Sequence, residues 1–262
     1  MAKEAGRSTW KAIGSHVAKA SALVLAAVGT ELAFAYLWPA PRQPEFDASF
    51  LVGSEYERPP LRVAALGDST LTAPGVSSAD EIWIRQVARR LSETTLRPVE
   101  LRSFGVGGSY SADVRHEQLP LALEFEPHLA VVSVGANDLI RGLPIRRLHD
   151  HLDHIVGALT ASGAQVVMSG VGDLGTIPRL APPVRQMATR LGRRGDRVHA
   201  RVAEKHGAVK AEQWVWASGE FRRRSDVWSP DRFHPNAAGH VIWATACWEA
   251  LEPLCGALAG DR

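Results

Sequence analysis

The sequence predicts an α/β fold in three layers: a five-stranded parallel sheet with helices on both faces, preceded by an N-terminal hydrophobic helix. Three observations predict it. From Leu61 onward, apolar runs of four to six residues alternate with longer segments of helical period, the pattern of strand–helix–strand units. The first of them, Val63 to Leu66 with Leu61 before it, is too short for a helix and suits a buried strand. The polar residues best suited to chemistry follow the ends of these runs, where open parallel sheets bind ligands.

The first strand is Leu61 to Leu66, broken by Gly67-Asp68-Ser69-Thr70. Ile82, Trp83, Val87 and Leu91 then form a helical stripe. Val99 to Phe104 reads as the second strand. Ala112 to Phe125 is helical in part, with a boundary or kink at Pro120. Leu129 to Val134 is the third strand, followed by a helix over Pro144 to Thr160. Gln165 to Ser169 is the fourth. A loop from Gly170 to Pro183, a candidate lid, precedes an Arg-rich helix ending near His206. Ala208 to Ala211 supplies a short fifth strand, and Asn236 to Leu251 the closing helix.

Ahead of this domain, expected to span 61–262, lie two other segments. Lys3, Arg7, Lys11 and Lys19 precede Ala20 to Trp38, nineteen residues whose single charge is Glu31. That length nearly matches the ~20 residues that cross a bilayer, and the basic flank orients the N-terminus to the cytoplasm. Residues 1–38 are therefore expected to be a membrane anchor, holding an exported domain at the cell membrane as a single-pass protein. Two alternatives stand: a secretion signal cleaved after Ala33-Phe34-Ala35, or a helix packed on the domain, since Glu31 is costly in lipid. The stretch 39–60, with five prolines, reads as a linker.

Composition narrows the function classes. A net charge of +2 does not imply nucleic acid, and the arginines at 193, 194, 197 and 201 and at 222–224 read as solvated faces. Cys247 and Cys255 form no disulfide framework. On one helix they would lie about 12 Å apart, too far for a bridge, although Pro253 leaves a fold-back open. No Cys/His cluster has zinc spacing, and no metal or organic cofactor is expected. A monomer is expected.

Chemistry collects on one rim of the sheet. Ser69 follows the first strand, Gly107-Gly108 the second, Gly135-Ala136-Asn137-Asp138 the third, and Asp231-Arg232-Phe233-His234-Pro235 precedes the last helix. A serine hydroxyl needs a base, and His234 has the right intrinsic basicity. Asp231, three residues earlier, can turn back to the other ring nitrogen. The backbone N–H groups of Ser69 and Gly108 and the Asn137 amide can receive a developing oxyanion. That inventory suits acyl transfer. Asp68 and Asp138 read as braces of their own turns, His240 as a packed or exposed histidine, Asp173 as a rim residue that needs no substrate-side role, and Trp214, Trp216 and Trp228 as lid or core packing rather than a sugar-stacking platform.

These four stretches, in order and approximate spacing, resemble the four blocks of the SGNH hydrolases, also called GDSL esterases and lipases. Gly67-Asp68-Ser69 resembles the nucleophile block, Ser103 to Gly108 the glycine block, Gly135-Ala136-Asn137-Asp138 the third, and Asp231-x-x-His234 the acid–base block. Ser103 stands where many members carry asparagine, and Ser109-Tyr110-Ser111-Ala112-Asp113 marks Gly108 as the functional glycine. The resemblance covers about residues 61–255 and implies a flavodoxin-like sheet. It also implies catalysis by Ser69, Asp231 and His234 with an oxyanion hole of Ser69, Gly108 and Asn137. The implied substrates are carboxylic esters: small-molecule, lipid-like or glycan. Small or lipid-like acyl groups are favoured because an anchor would hold the enzyme near the membrane. Alternatives are an O-acyltransferase or carbohydrate O-deacetylase with the same triad, and a catalytically idle scaffold.

Overall fold

A computed structural model describes residues 43–260, together with residues 16, 21–23, 26 and 28–31. Among them are six strands: β1 (Phe50–Val52), β2 (Leu61–Gly67), β3 (Val99–Ser103), β4 (Leu129–Ser133), β5 (Gln165–Met168) and β6 (Val209–Lys210). They form one sheet in the order β1-β3-β2-β4-β5-β6. β2 to β6 run parallel, while β1 pairs antiparallel with β3 through Phe50 opposite Leu101 and Val52 opposite Val99.

The expectation of a five-stranded, all-parallel, flavodoxin-like sheet is therefore corrected to a mixed six-stranded one. The added strand lies within the proline-containing stretch 39–60. Three residues are too few to display a period, so β1 is recognisable only through its partners. Arg85 holds it in place: its guanidinium donates to the carbonyls of Ala48 and Ser49 at 3.0 and 2.7 Å and lies over the Phe50 ring at 4.6 Å.

Four long helices cover the sheet: α1 (Trp83–Thr95), α2 (Ile145–Ala161), α3 (Val184–His206) and α4 (Ala237–Leu251). Strand alternation assigns the faces. Ala64, Leu66, Ala130, Val132, Val166 and Met168 point to α2 and α3, meeting Leu152, Ile155, Val198 and Val202. Val63, Ala65, Leu129, Val131 and Val167 point the other way, to Trp83, Val87 and Leu91 of α1 and Cys247, Trp248 and Leu251 of α4. Both cysteines are free and buried, and burial pushes the Cys247 thiol up to about 12. Arg193, Arg194, Arg197 and Arg201 are exposed along α3.

The expected membrane span is also corrected. Among the described residues, no helix is long and apolar enough to cross a membrane. Parts of 20–38, including residues 28–31, are helical, and the Glu31 carboxylate accepts a hydrogen bond from the Ala181 amide of the catalytic domain. A carboxylate engaged with the domain's own backbone is not one seated in lipid, so single-pass anchoring and membrane contact are withdrawn. The rest of 20–38, with the Ala33-Phe34-Ala35 cleavage expectation, lies outside the described residues.

Candidate active site

β2 ends at Gly67, where a side chain cannot be accommodated: an added Cβ would lie 2.1 Å from the Ser133 carbonyl oxygen of β4. Asp68 then caps the short helix Ser69–Thr72, its carboxylate accepting from the Thr70 amide at 3.0 Å. Ala73, left-handed at φ 51°, ends that helix after one turn. Ser69 is thus held half-exposed at the first position of a tight turn above the sheet. Burial pushes Asp68 up to about 6, against the lowering effect of its bonds to Thr70.

The glycine block is sewn to the same strand. Phe104 N–H donates to Ala65 at 2.8 Å and Val106 N–H to Gly67 at 3.2 Å. The two glycines there differ in kind. Gly108 has φ +81° with open space around it, so its conformation is what calls for glycine; at Gly107 a Cβ would meet Glu45 Oε1 at 2.6 Å. The third block is tied to this loop by two side chains. Asn137 Nδ2 donates to the Ser109 carbonyl at 3.0 Å, and Asp138 accepts from Ser111 N–H at 3.0 Å and Ser111 Oγ at 2.5 Å.

Before α4, the chain folds into a turn centred on Asp231. One carboxylate oxygen accepts from Ser229 Oγ at 2.6 Å, Phe233 N–H at 2.8 Å and His234 N–H at 2.9 Å. The other meets His234 Nδ1 at 2.6 Å. Burial works against the charge of Asp231, but His234, Ser229 and the two amides together outweigh it and hold the carboxyl well below the usual carboxylate range. With a carboxylate fixed at Nδ1, that nitrogen carries a proton and Nε2 is left to act as a base.

Ser69, Asn137 and His234 line one cavity of about 140 Å³, which extends past Ser169 to Gly172 toward Gln213, Phe221 and Trp243. Its lining is mostly apolar. Among the described residues, no group of three or more His, Cys, Asp or Glu is placed to hold a metal ion. A hydroxyl, an imidazole backed by a carboxylate, and an amide donor facing one cavity can perform nucleophilic acyl chemistry.

Compared with protein-family models, residues 65–242 match the GDSL-like Lipase/Acylhydrolase family. The chain belongs to this family. A GDSL-like esterase of Mycobacterium tuberculosis is 30% identical over 193 residues, which are 73% of this chain and 62% of that protein, less than two thirds of its length. Esterase TesA of Pseudomonas aeruginosa is 24% identical over 193 residues, 72% of this chain and 87% of its own. A crystal structure of TesA superposes with a TM-score of 0.62 at 24% identity, covering 74% of this chain and 99% of that one. Acetylxylan esterase from Geobacillus stearothermophilus gives 0.58 at 16% identity over 77% of this chain and 94% of its own. Those two superpositions establish the fold.

In this member of the GDSL-like family several supporting residues carry no local signal in the sequence. Gln118 braces Gly67 with both ends of its side chain: Oε1 accepts from Gly67 N–H at 2.8 Å and Nε2 donates to its carbonyl at 2.9 Å. A hydroxyl chain, Thr70–Ser133–Ser169, with steps of 2.8 and 2.9 Å, runs beneath the Ser69 turn. His199, buried on the Arg-rich α3, places its two ring nitrogens 3.0 Å from the Gly195 and Val134 carbonyls, the latter at the end of β4. Asp173 does line the cavity, bound by Gly175 N–H at 2.9 Å and by Arg222. Trp228 lines it too, packed on Phe221 at 5.1 Å, whereas Trp214 and Trp216 do not.

His240 is packed rather than exposed. Its Nδ1 accepts from Trp83 N–H at 3.2 Å, and burial, with a smaller contribution from His234, pushes it down to about 3. Its unfolded pKa is about 6.5, so below that pH the unfolded chain binds a proton that the folded one refuses. The stability that neutral His240 confers is present above pH ~6.5 and is lost as the pH falls toward the folded value. Urea unfolding at pH 7 and pH 5 is expected to show it. The stability difference between wild type and His240→Asn should shift by about 2 kcal/mol between the two, in favour of the variant at pH 5. A difference independent of pH would refute the buried neutral imidazole.

Proposed function

We propose that Ser69, Asp231 and His234 form the catalytic triad of residues 61–262, and that the enzyme hydrolyses short-chain carboxylic esters through an acyl-Ser69 intermediate. The observation that carries this reading is the 2.6 Å contact between His234 Nδ1 and Asp231 beside a cavity that also holds Ser69. His234 Nε2 takes the Ser69 proton as Oγ attacks the ester carbonyl. The backbone N–H groups of Ser69 and Gly108 and the Asn137 amide receive the oxyanion. Collapse returns the proton to the leaving alcohol, and water, deprotonated by His234, then frees the acid.

Acyl length follows from size. A cavity of about 140 Å³ is close to the volume that accepts a benzene-sized group, so an acyl chain of up to about six carbons fits. The preference for lipid-like chains rested on membrane proximity and goes with the anchor. Carbohydrate O-deacetylation is the second reading: an acetyl group fits the same cavity, and acetylxylan esterase shares the fold. Acyl transfer to a sugar would use the same triad and differ only in the acceptor.

The test is hydrolysis of a p-nitrophenyl ester series by the full chain, with acetate release from an acetylated oligosaccharide measured alongside. Best turnover is expected at about six carbons or fewer; an optimum at long-chain esters would overturn the size argument. In the same assay Asn137→Ala is expected to lower kcat by about 10²–10³, the usual cost of one oxyanion donor. An unchanged kcat would remove Asn137 from the hole.

A further inference from the structure

We infer that Gln213 forms a polar subsite at the far end of the cavity, where it binds a hydroxyl on the substrate's acyl group. The inference rests on the acyl-Ser69 reading and extends it to substrate choice. Gln213 follows β6 and opens the short helix Gln213–Trp216. It is 4% exposed and lines the same cavity as Ser69 and His234. Its side-chain Oε1 has no hydrogen-bond partner. Buried amides in native proteins are paired, and an unpaired one on a residue that lines a cavity calls for a ligand group.

The neighbouring polar groups are already engaged. Ser218 Oγ donates to the Gln213 backbone carbonyl at 3.3 Å and accepts from Asp173 N–H at 3.1 Å. The Asp173 carboxylate is held by Gly175 and Arg222, and the Ser169 hydroxyl donates to Ser133 at 2.9 Å. A hydroxyl is the group that fits. It donates to Oε1, and it accepts from the amide nitrogen if the carboxamide turns end for end. A carboxylate would face Asp173, and an ammonium would have to compete with Arg222 for it.

Sheet order sets where that hydroxyl lies. β6 is three strands from β2, about 14 Å at ordinary strand spacing. The cavity passes the ends of β4 and β5 on the way, so the hydroxyl belongs toward the distal end of the bound group. That group is the acyl chain rather than the alcohol. The acyl chain must stay bound through both half-reactions, while the alcohol leaves after the first.

The experiment compares p-nitrophenyl hexanoate with p-nitrophenyl 6-hydroxyhexanoate, and propyl hexanoate with 3-hydroxypropyl hexanoate, on the full-length wild type and Gln213→Leu. Wild type is expected to favour the hydroxyacyl ester by about tenfold in kcat/KM. Gln213→Leu should lose that preference and gain on plain hexanoate. Gln213→Met takes its place if circular dichroism shows the leucine variant unfolded. An equal ratio in wild type and variant overturns the subsite, and a preference confined to the alcohol-side hydroxyl overturns its placement. Absence of turnover on every ester strikes the acyl-Ser69 reading itself, whereas turnover without a hydroxyl preference strikes only the subsite.

Discussion

Ser69→Ala is expected to abolish ester hydrolysis, lowering kcat by about a million-fold. The size of the effect follows from what alanine lacks. Without Oγ there is no acyl-enzyme, and His234 is left to act on bulk water from a position shaped for a bound hydroxyl. The turn itself should survive. Asp68 still caps it through Thr70 N–H, and the Ala73 amide still bonds the residue 69 carbonyl at 2.8 Å. A folded variant with unchanged thermal unfolding and no turnover is therefore the expected pairing. Activity within tenfold of wild type would mean that another group attacks the ester, and the role given to His234 would fall with it.

Asp231→Asn is expected to lower kcat by about 10⁴ while leaving the fold intact. The geometry gives the reason. One carboxylate oxygen of Asp231 accepts from Ser229, Phe233 and His234 N–H, so an asparagine must put its oxygen there. Its NH₂ then faces His234 Nδ1, which has to become an acceptor. The ring proton moves to Nε2, the atom required as a base. Loss of activity thus comes from the wrong tautomer and not from a disordered loop. A p-nitrophenyl ester assay with a parallel unfolding curve separates the two, and a variant that retains activity near wild type would show that Asp231 does not orient the base.

Much of the architecture was legible because the central strands are short, largely apolar and followed by polar turns. β2 to β6 fall on the five strand-like runs, and α1 to α4 where the helical segments lie. β1 was not legible. It is three residues long, and held by pairing with β3 and by Arg85 rather than by any pattern of its own. The N-terminal segment misled for a related reason. A nineteen-residue run with a single charge has the composition of a membrane span, and composition carries no information about the Ala181 amide that Glu31 meets.

The site divides along the same line. Sequence alone supplied the candidate chemical groups. Ser69, Gly108, Asn137, Asp231 and His234 stand in short motifs whose spacing is local, and Asp231 reaches His234 across one turn because only three residues separate them. Tertiary structure decided what surrounds those groups. Gln118 braces Gly67 from 51 residues away, Ser133 and Ser169 reach the Ser69 turn from the next two strands, and Gln213 comes to the same cavity from beyond β6. The physical reason is the range of the interactions. A motif is readable when its hydrogen bonds close within a turn, whereas a cavity is built from contacts between strands that only the folded sheet brings side by side.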